Sequence, residues 1–349
     1  MWGPSGGGGD DVGVMAREAS PPRGRVTVRT AIEVSRLRKS YGDVVAVDDL
    51  SFSVAAGEVF ALLGPNGAGK STTINILCTL AGSTGGRATV AGFDVATQPH
   101  AIRRRIGLVF QQPTLDEQLT AQENLHLHAV MYHMPRRIRA QRIDHVLELV
   151  GLEDRRNDLV ATFSGGMARR LEIARGMLHS PELLFLDEPT VGLDPQTRTL
   201  IWQELLAMRA AANLTVLFTT HHMHEAEIAD RIAIIDHGRI AAIGTPGELK
   251  TSITADTITL RTRNDAAALD ALQAAGYHAT LGAAGILIET TNPDAEVGRA
   301  VEAIGGGVEF VQIHRCSLDD VFLHYTGRQI REPAAEAHSE IGRAWVRRR

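Results

Sequence analysis

Cysteine, lysine and long apolar runs are all scarce in this chain of 349 residues. Its two cysteines, Cys78 and Cys316, lie far apart. That count cannot build a disulfide framework and fits a reducing compartment. No apolar run reaches the roughly 18 residues a spanning helix needs, and the first residues lack the apolar core of a signal peptide. A membrane role must therefore come through a partner. The formal net charge of −5 gives no sign of a general nucleic-acid coat. Of the 36 Lys and Arg residues, only Lys39, Lys70 and Lys250 are lysines, which makes each of them conspicuous. Hydrophobic residues make up 44% of the chain, enough to fill one large core or two smaller ones.

Patterning divides the chain. Residues 1–30 are rich in Gly, Pro and Arg and are expected to be a disordered extension. Ala31-Ile32-Glu33-Val34 begins the folded part, and turn chemistry at Tyr41-Gly42-Asp43 separates it from Val44-Val45-Ala46-Val47. From there to Gly244, short apolar strands alternate with longer helical stretches, the pattern of an α/β domain with a largely parallel sheet. A helical insert interrupts it at about 112–178, where Ile143, Val146, Leu147 and Val150 share one stripe. Residues 251–327 read as βαββαβ, a small α+β accessory domain. Residues 328–349, ending Arg347-Arg348-Arg349, read as a flexible, charged, solvated tail.

The most specific feature is Gly64-Pro65-Asn66-Gly67-Ala68-Gly69-Lys70-Ser71-Thr72, which fits G-x-x-x-x-G-K-[ST]. Val59 to Leu63 before it reads as a buried strand, and Ser71 to Leu80 after it as a helix. Glycines let such a turn aim backbone N–H groups at phosphate oxygens, and the helix behind adds the positive end of its dipole. Lys70 then supplies a point charge to the β- and γ-phosphates, and the Ser71 hydroxyl a ligand for Mg2+. Leu183 to Glu188 is an apolar strand ending in two acids, at the end of a sheet where ligands bind. Asp187 suits Mg2+, and Glu188 suits a general base on water. His221 follows a second apolar strand and is placed to touch the γ-phosphate or orient Glu188. His222 and His224 read as helix-surface residues, since their spacing is not that of a metal pair. Ser164-Gly165-Gly166 reads as an N-cap followed by an anion-accessible helix end.

Together these motifs resemble the nucleotide-binding subunit of ATP-binding cassette (ABC) transporters over about 32–250. The resemblance implies a P-loop ABC ATPase core, with an antiparallel β subdomain and a helical subdomain. Tyr41 matches the aromatic that stacks on adenine, and Gly64 to Thr72 the Walker A loop. Gln111 matches the Q-loop glutamine that contacts Mg2+, and Phe163-Ser164-Gly165-Gly166-Met167 the signature. Leu183 to Glu188 matches Walker B with its catalytic acid, Asp194 lies in the D-loop, and His221 is the switch histidine. The signature departs from the family pattern, with Phe163 for leucine and Met167 for glutamine. Segments 111–120, 164–175 and 317–323 are similar to daunorubicin/doxorubicin-resistance ABC ATPases.

That narrower resemblance implies an ATPase that uses ATP and Mg2+ and pairs head to tail with a second copy. Ser164, Gly165 and Gly166 of one copy would close on ATP held by the other. It further implies a separate polytopic permease, a peripheral place on the cytoplasmic face of the cell membrane, and export of drugs or other hydrophobic compounds. A lipid, polysaccharide or peptide cargo is the alternative. A soluble ABC protein acting on ribosomes or DNA usually carries two cassettes or a coiled-coil insert. This chain has neither, and no nucleic-acid partner is expected.

Overall fold

The computed structural model describes residues 29–253, 256–282 and 284–327. The extension before residue 29 and the tail expected at 328–349 lie outside the described residues. β1 (Thr30–Tyr41) and β2 (Val44–Ala55) form an antiparallel hairpin that turns at Gly42 and Asp43. β3 (Val59–Leu63), buried throughout, feeds the phosphate loop and α1 (Lys70–Leu77). β4 (Gly85–Val90) and β5 (Phe93–Asp94) complete an antiparallel sheet in the order β2-β1-β4-β5.

After α2 (Pro99–Arg103) and β6 (Ile106–Val109) comes the helical insert of α3 (Ala121–Met131), α4 (Arg136–Leu149) and α5 (Gly165–Met177). A capping box between Thr120 and Glu123 starts α3. Ile143, Val146, Leu147 and Val150 are all buried, as their stripe predicts. β7 (Leu183–Asp187), α6 (Pro195–Ala212), β8 (Thr215–Thr220), α7 (Met223–Ala226) and β9 (Arg231–Asp236) return the chain to the sheet. β10 (Arg239–Gly244) and α8 (Pro246–Thr251) follow.

The central sheet runs β10-β9-β3-β8-β7-β6. All its pairings are parallel except the β9–β10 hairpin. A parallel sheet buries both faces, so its strands read as unbroken apolar runs. The alternation along β3 divides them. Val59, Ala61 and Leu63 face a core shared with the helical insert and α6, while Phe60 and Leu62 face α1 and the hairpin sheet. This two-sided packing fixes the C-terminal ends of β3, β7 and β8, where the loops with chemistry begin.

One expectation is corrected. The helix predicted from Ser71 to Leu80 ends at Leu77. Thr79 takes a left-handed φ of +64°, and its hydroxyl and carbonyl accept from Arg103, so the helical path cannot continue.

Beyond α8, β11 (Asp256–Thr262), α9 (Asp265–Ala274), β12 (Ala279–Gly282), β13 (Gly285–Thr290), α10 (Pro293–Ile304) and β14 (Val308–His314) build a second antiparallel sheet, β12-β13-β11-β14. It holds its own cluster around Ile258, Leu260, Leu272, Ile286 and Ile288. The last helix, α11 (Leu318–Thr326), instead packs on α7, α8 and β10. Its Leu318, Val321 and Phe322 belong to the same cluster as the central sheet.

Candidate active site

The phosphate loop turns between β3 and α1. Gly69 has φ +101°, and a Cβ there would lie 2.4 Å from the Ala46 carbonyl oxygen, so no larger residue fits. Lys70 is 4% exposed, and its ammonium donates to the carbonyls of Gly64 (2.8 Å) and Pro65 (3.1 Å). It also lies 3.2 Å from Glu188 Oε1. Burial lowers the Lys70 pKa from 10.5, against the opposing pull of Glu188.

The acids at the end of β7 are held differently. Asp187 Oδ1 accepts from Ser71 Oγ at 3.0 Å and from Thr219 Oγ1 at 2.6 Å. Thr219 Oγ1 in turn accepts from the Glu188 backbone N–H at 2.9 Å. Glu188 itself has φ +46°, uncommon for a residue with a side chain. This turn lets its carboxylate meet three groups: Lys70, Gln111 Nε2 at 3.2 Å and His221 Nδ1 at 3.3 Å. Burial raises the Glu188 pKa, but His221 and Lys70 outweigh it and leave the carboxyl below its ordinary 4.5. An ionised carboxylate facing a cleft is what a general base requires.

The cleft beside these groups encloses about 450 Å³, and Tyr41, Asn66, Gly67, Lys70, Gln111 and Glu188 are among the residues lining it. Tyr41 is exposed, with Lys39 Nζ 4.7 Å from its ring centroid. Ser71 and Asp187 set a hydroxyl beside a carboxylate, hard oxygen donors of the kind Mg2+ prefers. Among the described residues, no group of three or more His, Cys, Asp or Glu could hold a metal. The His222 ring lies tilted against His221 and against His224, at centroid separations of 4.1 and 5.4 Å.

The structure thus brings Gly64 to Thr72, Gln111, Asp187, Glu188 and His221 together. Ser164, Gly165, Gly166 and Asp194 form a second locus. Ser164 is exposed and caps α5, its hydroxyl accepting from Met167 N at 3.2 Å. Gly166 backs onto α6, where a Cβ would sit 2.4 Å from Thr197 Cγ2. Asp194 caps α6, accepting from Thr197 N (2.9 Å) and Oγ1 (2.6 Å), and these bonds lower its pKa.

Some of the machinery escaped sequence reasoning. Thr219 bridges both acids. Arg169, on α5, donates to the carbonyls of Phe110 (2.5 Å) and Gln111 (2.8 Å) and pairs with Glu172 at 3.0 Å. Glu172, fully buried, accepts from Thr114 N at 2.8 Å, and Arg175 Nη1 donates to the Thr114 carbonyl at 2.7 Å. The helix that begins at Ser164 therefore grips the loop that carries Gln111. The only sequence signal was an acid among arginines on the core-facing side of a helix.

Comparison with known proteins agrees with this geometry. Residues 47–191 match the family model described as ABC transporter. The daunorubicin resistance ATP-binding protein DrrA3 of Streptomyces coeruleorubidus is 40% identical over 320 residues, covering 87% of this chain and 99% of that protein. The Nod factor export ATP-binding protein I of Burkholderia orbicola (strain AU 1054) is 37% identical, covering 86% and 98%. Among solved structures, an ATP-binding subunit of an ABC transporter superposes with TM-score 0.58 at 32% identity, covering 64% of this chain and 93% of that one. A dimeric, post-hydrolysis ATP-binding cassette bound to ADP and Pi gives TM-score 0.57 at 29% identity, covering 61% and 98%. With the phosphate loop, the paired acids and His221 drawn together at the strand ends, this chain belongs to the ABC transporter family and is an ATP-hydrolysing cassette subunit.

Proposed function

We propose that this chain energises the export of drugs or other hydrophobic compounds through a separate polytopic permease, from the cytoplasmic face of the cell membrane. What supports the permease reading is membership of the ABC transporter family and likeness to an ATP-binding subunit of an ABC transporter; no helix among the described residues is long and apolar enough to cross a membrane. What supports the cargo class is the resistance proteins among its relatives, at about 40% identity. The export protein for Nod factor among those relatives supports a second reading, the same ATPase role for a cargo other than a drug.

In this reading Tyr41 stacks on adenine, and the loop from Gly64 to Thr72 cradles the phosphates. Ser71, Gln111 and Asp187 would hold Mg2+, which when bound neutralises charge on the β- and γ-phosphates. Glu188 takes a proton from water as His221 orients it and faces the γ-phosphate. The cluster at Glu188 carries the proposal: its carboxylate meets Lys70, Gln111 and His221 within 3.3 Å. The exposed Ser164 and Gly165 and the half-buried Gly166, with Asp194 nearby, serve ATP bound to a second copy. ATP then joins two copies, and hydrolysis lets them part, a difference between states that can do work on a permease.

The experiment is Glu188→Gln. The variant should bind ATP, lose turnover by at least about a hundredfold, and run as a dimer on size exclusion with ATP. Full activity in the purified variant removes Glu188 as the base; a monomer at saturating ATP removes the composite dimer. Drug-stimulated hydrolysis in vesicles containing the permease tests the cargo class.

A further inference from the structure

Glu225 is buried to 1% exposure in a chain segment that the site described above leaves without a task. Its carboxylate lies where three loops meet. Thr190, two residues after Glu188, donates its hydroxyl to Oε1. Thr220, just before His221, donates to Oε2 at 2.7 Å and accepts from His222 N at 2.9 Å. Arg198 Nε lies 3.5 Å from Oε1, and Arg198 Nη1 lies 2.8 Å from His224 Nε2. The backbone N–H of Arg198 donates to the Asp194 carbonyl at 3.0 Å. Thr190 and Thr220 are themselves buried to 0% and 1% exposure. Burying a carboxylate costs several kcal/mol unless its oxygens are satisfied, and here each oxygen accepts from a loop that carries one of the reacting groups.

We propose that Glu225 is a positioning residue for ATP hydrolysis. It locks the loop of Glu188 to the loop of His221 and, through Arg198, ties both to the start of α6 at Asp194. The 3.3 Å approach of His221 Nδ1 to Glu188 Oε1 is then set by Glu225. The same link lets whatever engages Asp194 act on the base and its partner. The inference rests on the reading of Glu188 as base and His221 as its partner.

The test is steady-state ATP hydrolysis by the full chain, with ATP affinity measured by calorimetry. Glu225→Ala should lower kcat by about 10- to 100-fold through misplacement alone, while the ATP Kd stays within about twofold because no phosphate contact is touched. Glu225→Gln, which can still accept from one hydroxyl, should recover a large part of the loss. Because Glu225 sets the approach of His221 to Glu188, the two losses are non-additive, so His221→Ala with Glu225→Ala should lose less than the product of the two single losses. Multiplying losses, or a wild-type kcat in Glu225→Ala, overturn the inference. If Glu225→Ala does not fold, Thr220→Val decides. It removes only the hydroxyl next to His221 and should show the same fall in kcat; a wild-type kcat there also overturns it. Wild-type turnover in Glu188→Gln or His221→Ala removes the reading beneath and this inference with it. Loss in those two with none in Glu225→Ala overturns Glu225 alone.

Discussion

The two loci of this cassette differ in how complete each is within one chain. Around Glu188, each charge has a partner of opposite sign or a hydrogen-bond donor, and Lys70 and Glu188 are almost wholly buried. Around Ser164, two of the three motif residues are exposed, and the hydroxyl satisfies only its own helix. One locus is preorganised and desolvated, where electrostatic stabilisation is strongest. The other offers a helix N-terminus and small residues, a surface for an anion carried by something else. A division of this kind fits a site assembled from two copies. It also explains why α5 is built as it is: its first turn belongs to the exposed locus, while Arg169 and Glu172 reach the loop of Gln111 in the buried one.

Breaking that connection should have the largest effect. Glu172→Ala leaves Arg169 buried without its counter-ion and should cost about 3–5 kcal/mol, since removing one partner of a buried pair strands the other charge. Urea unfolding measures it, and a loss below about 1 kcal/mol would mean that Arg169 finds compensation from the carbonyls alone.

Next in size is the buried locus itself. Lys70→Ala removes a charged donor to phosphate, worth about 1.5–3 kcal/mol, or roughly a 10- to 100-fold rise in ATP Kd. Because burial lowers the Lys70 pKa, its charge is lost as pH rises through a range below 10.5, and ATP affinity should fall there in the wild type but not in Lys70→Ala.

The exposed locus should respond in another way. Ser164→Ala loses a cap and about 1 kcal/mol of stability. It should leave the ATP affinity of single copies unchanged but lower dimer turnover. Mixing Lys70→Ala with Ser164→Ala copies sharpens the comparison, because a mixed pair contains one intact composite site. Partial recovery of hydrolysis is expected, and none at any mixing ratio would place Ser164 outside the reaction.

The smallest effect is a shift in pH dependence. His221 and Lys70 hold the Glu188 pKa down against burial, which favours the ionised carboxylate as pH falls. A carboxyl of depressed pKa also stabilises the fold at higher pH, and that stability is lost as pH falls through its folded value. In His221→Ala the acid limb of kcat/KM should therefore move upward. An unmoved limb would mean that the 3.3 Å contact does not persist during turnover.

Much of this was legible in the residues. The phosphate loop, the strand before it and the helix behind it are local: spacing and glycine content specify them. The pairing of Asp187 with Ser71, or of Glu188 with Gln111, joins positions far apart in the chain; the matched motif order put these residues in one expected site but did not give the contacts. Thr219 and Glu225 were invisible because a lone threonine or acid carries no pattern, and the acid among arginines that marks Glu172 does not say which distant loop folds against it. The end of α1 failed for a similar reason. Arg103, on another helix, holds Thr79 in a conformation that local propensity alone does not favour.

The return of α11 to the central core changes what the accessory sheet can be. The chain leaves the cassette at α8, builds a separate sheet, and comes back to plant Leu318, Val321 and Phe322 among cassette residues such as Leu249, Met223 and Ala226. The sheet is therefore a loop fastened at both ends, like a handle on a vessel. Any truncation that removes the handle also pulls a plug from the ATPase, so loss of function in shortened chains reports on a leaking core as much as on any task of the sheet itself.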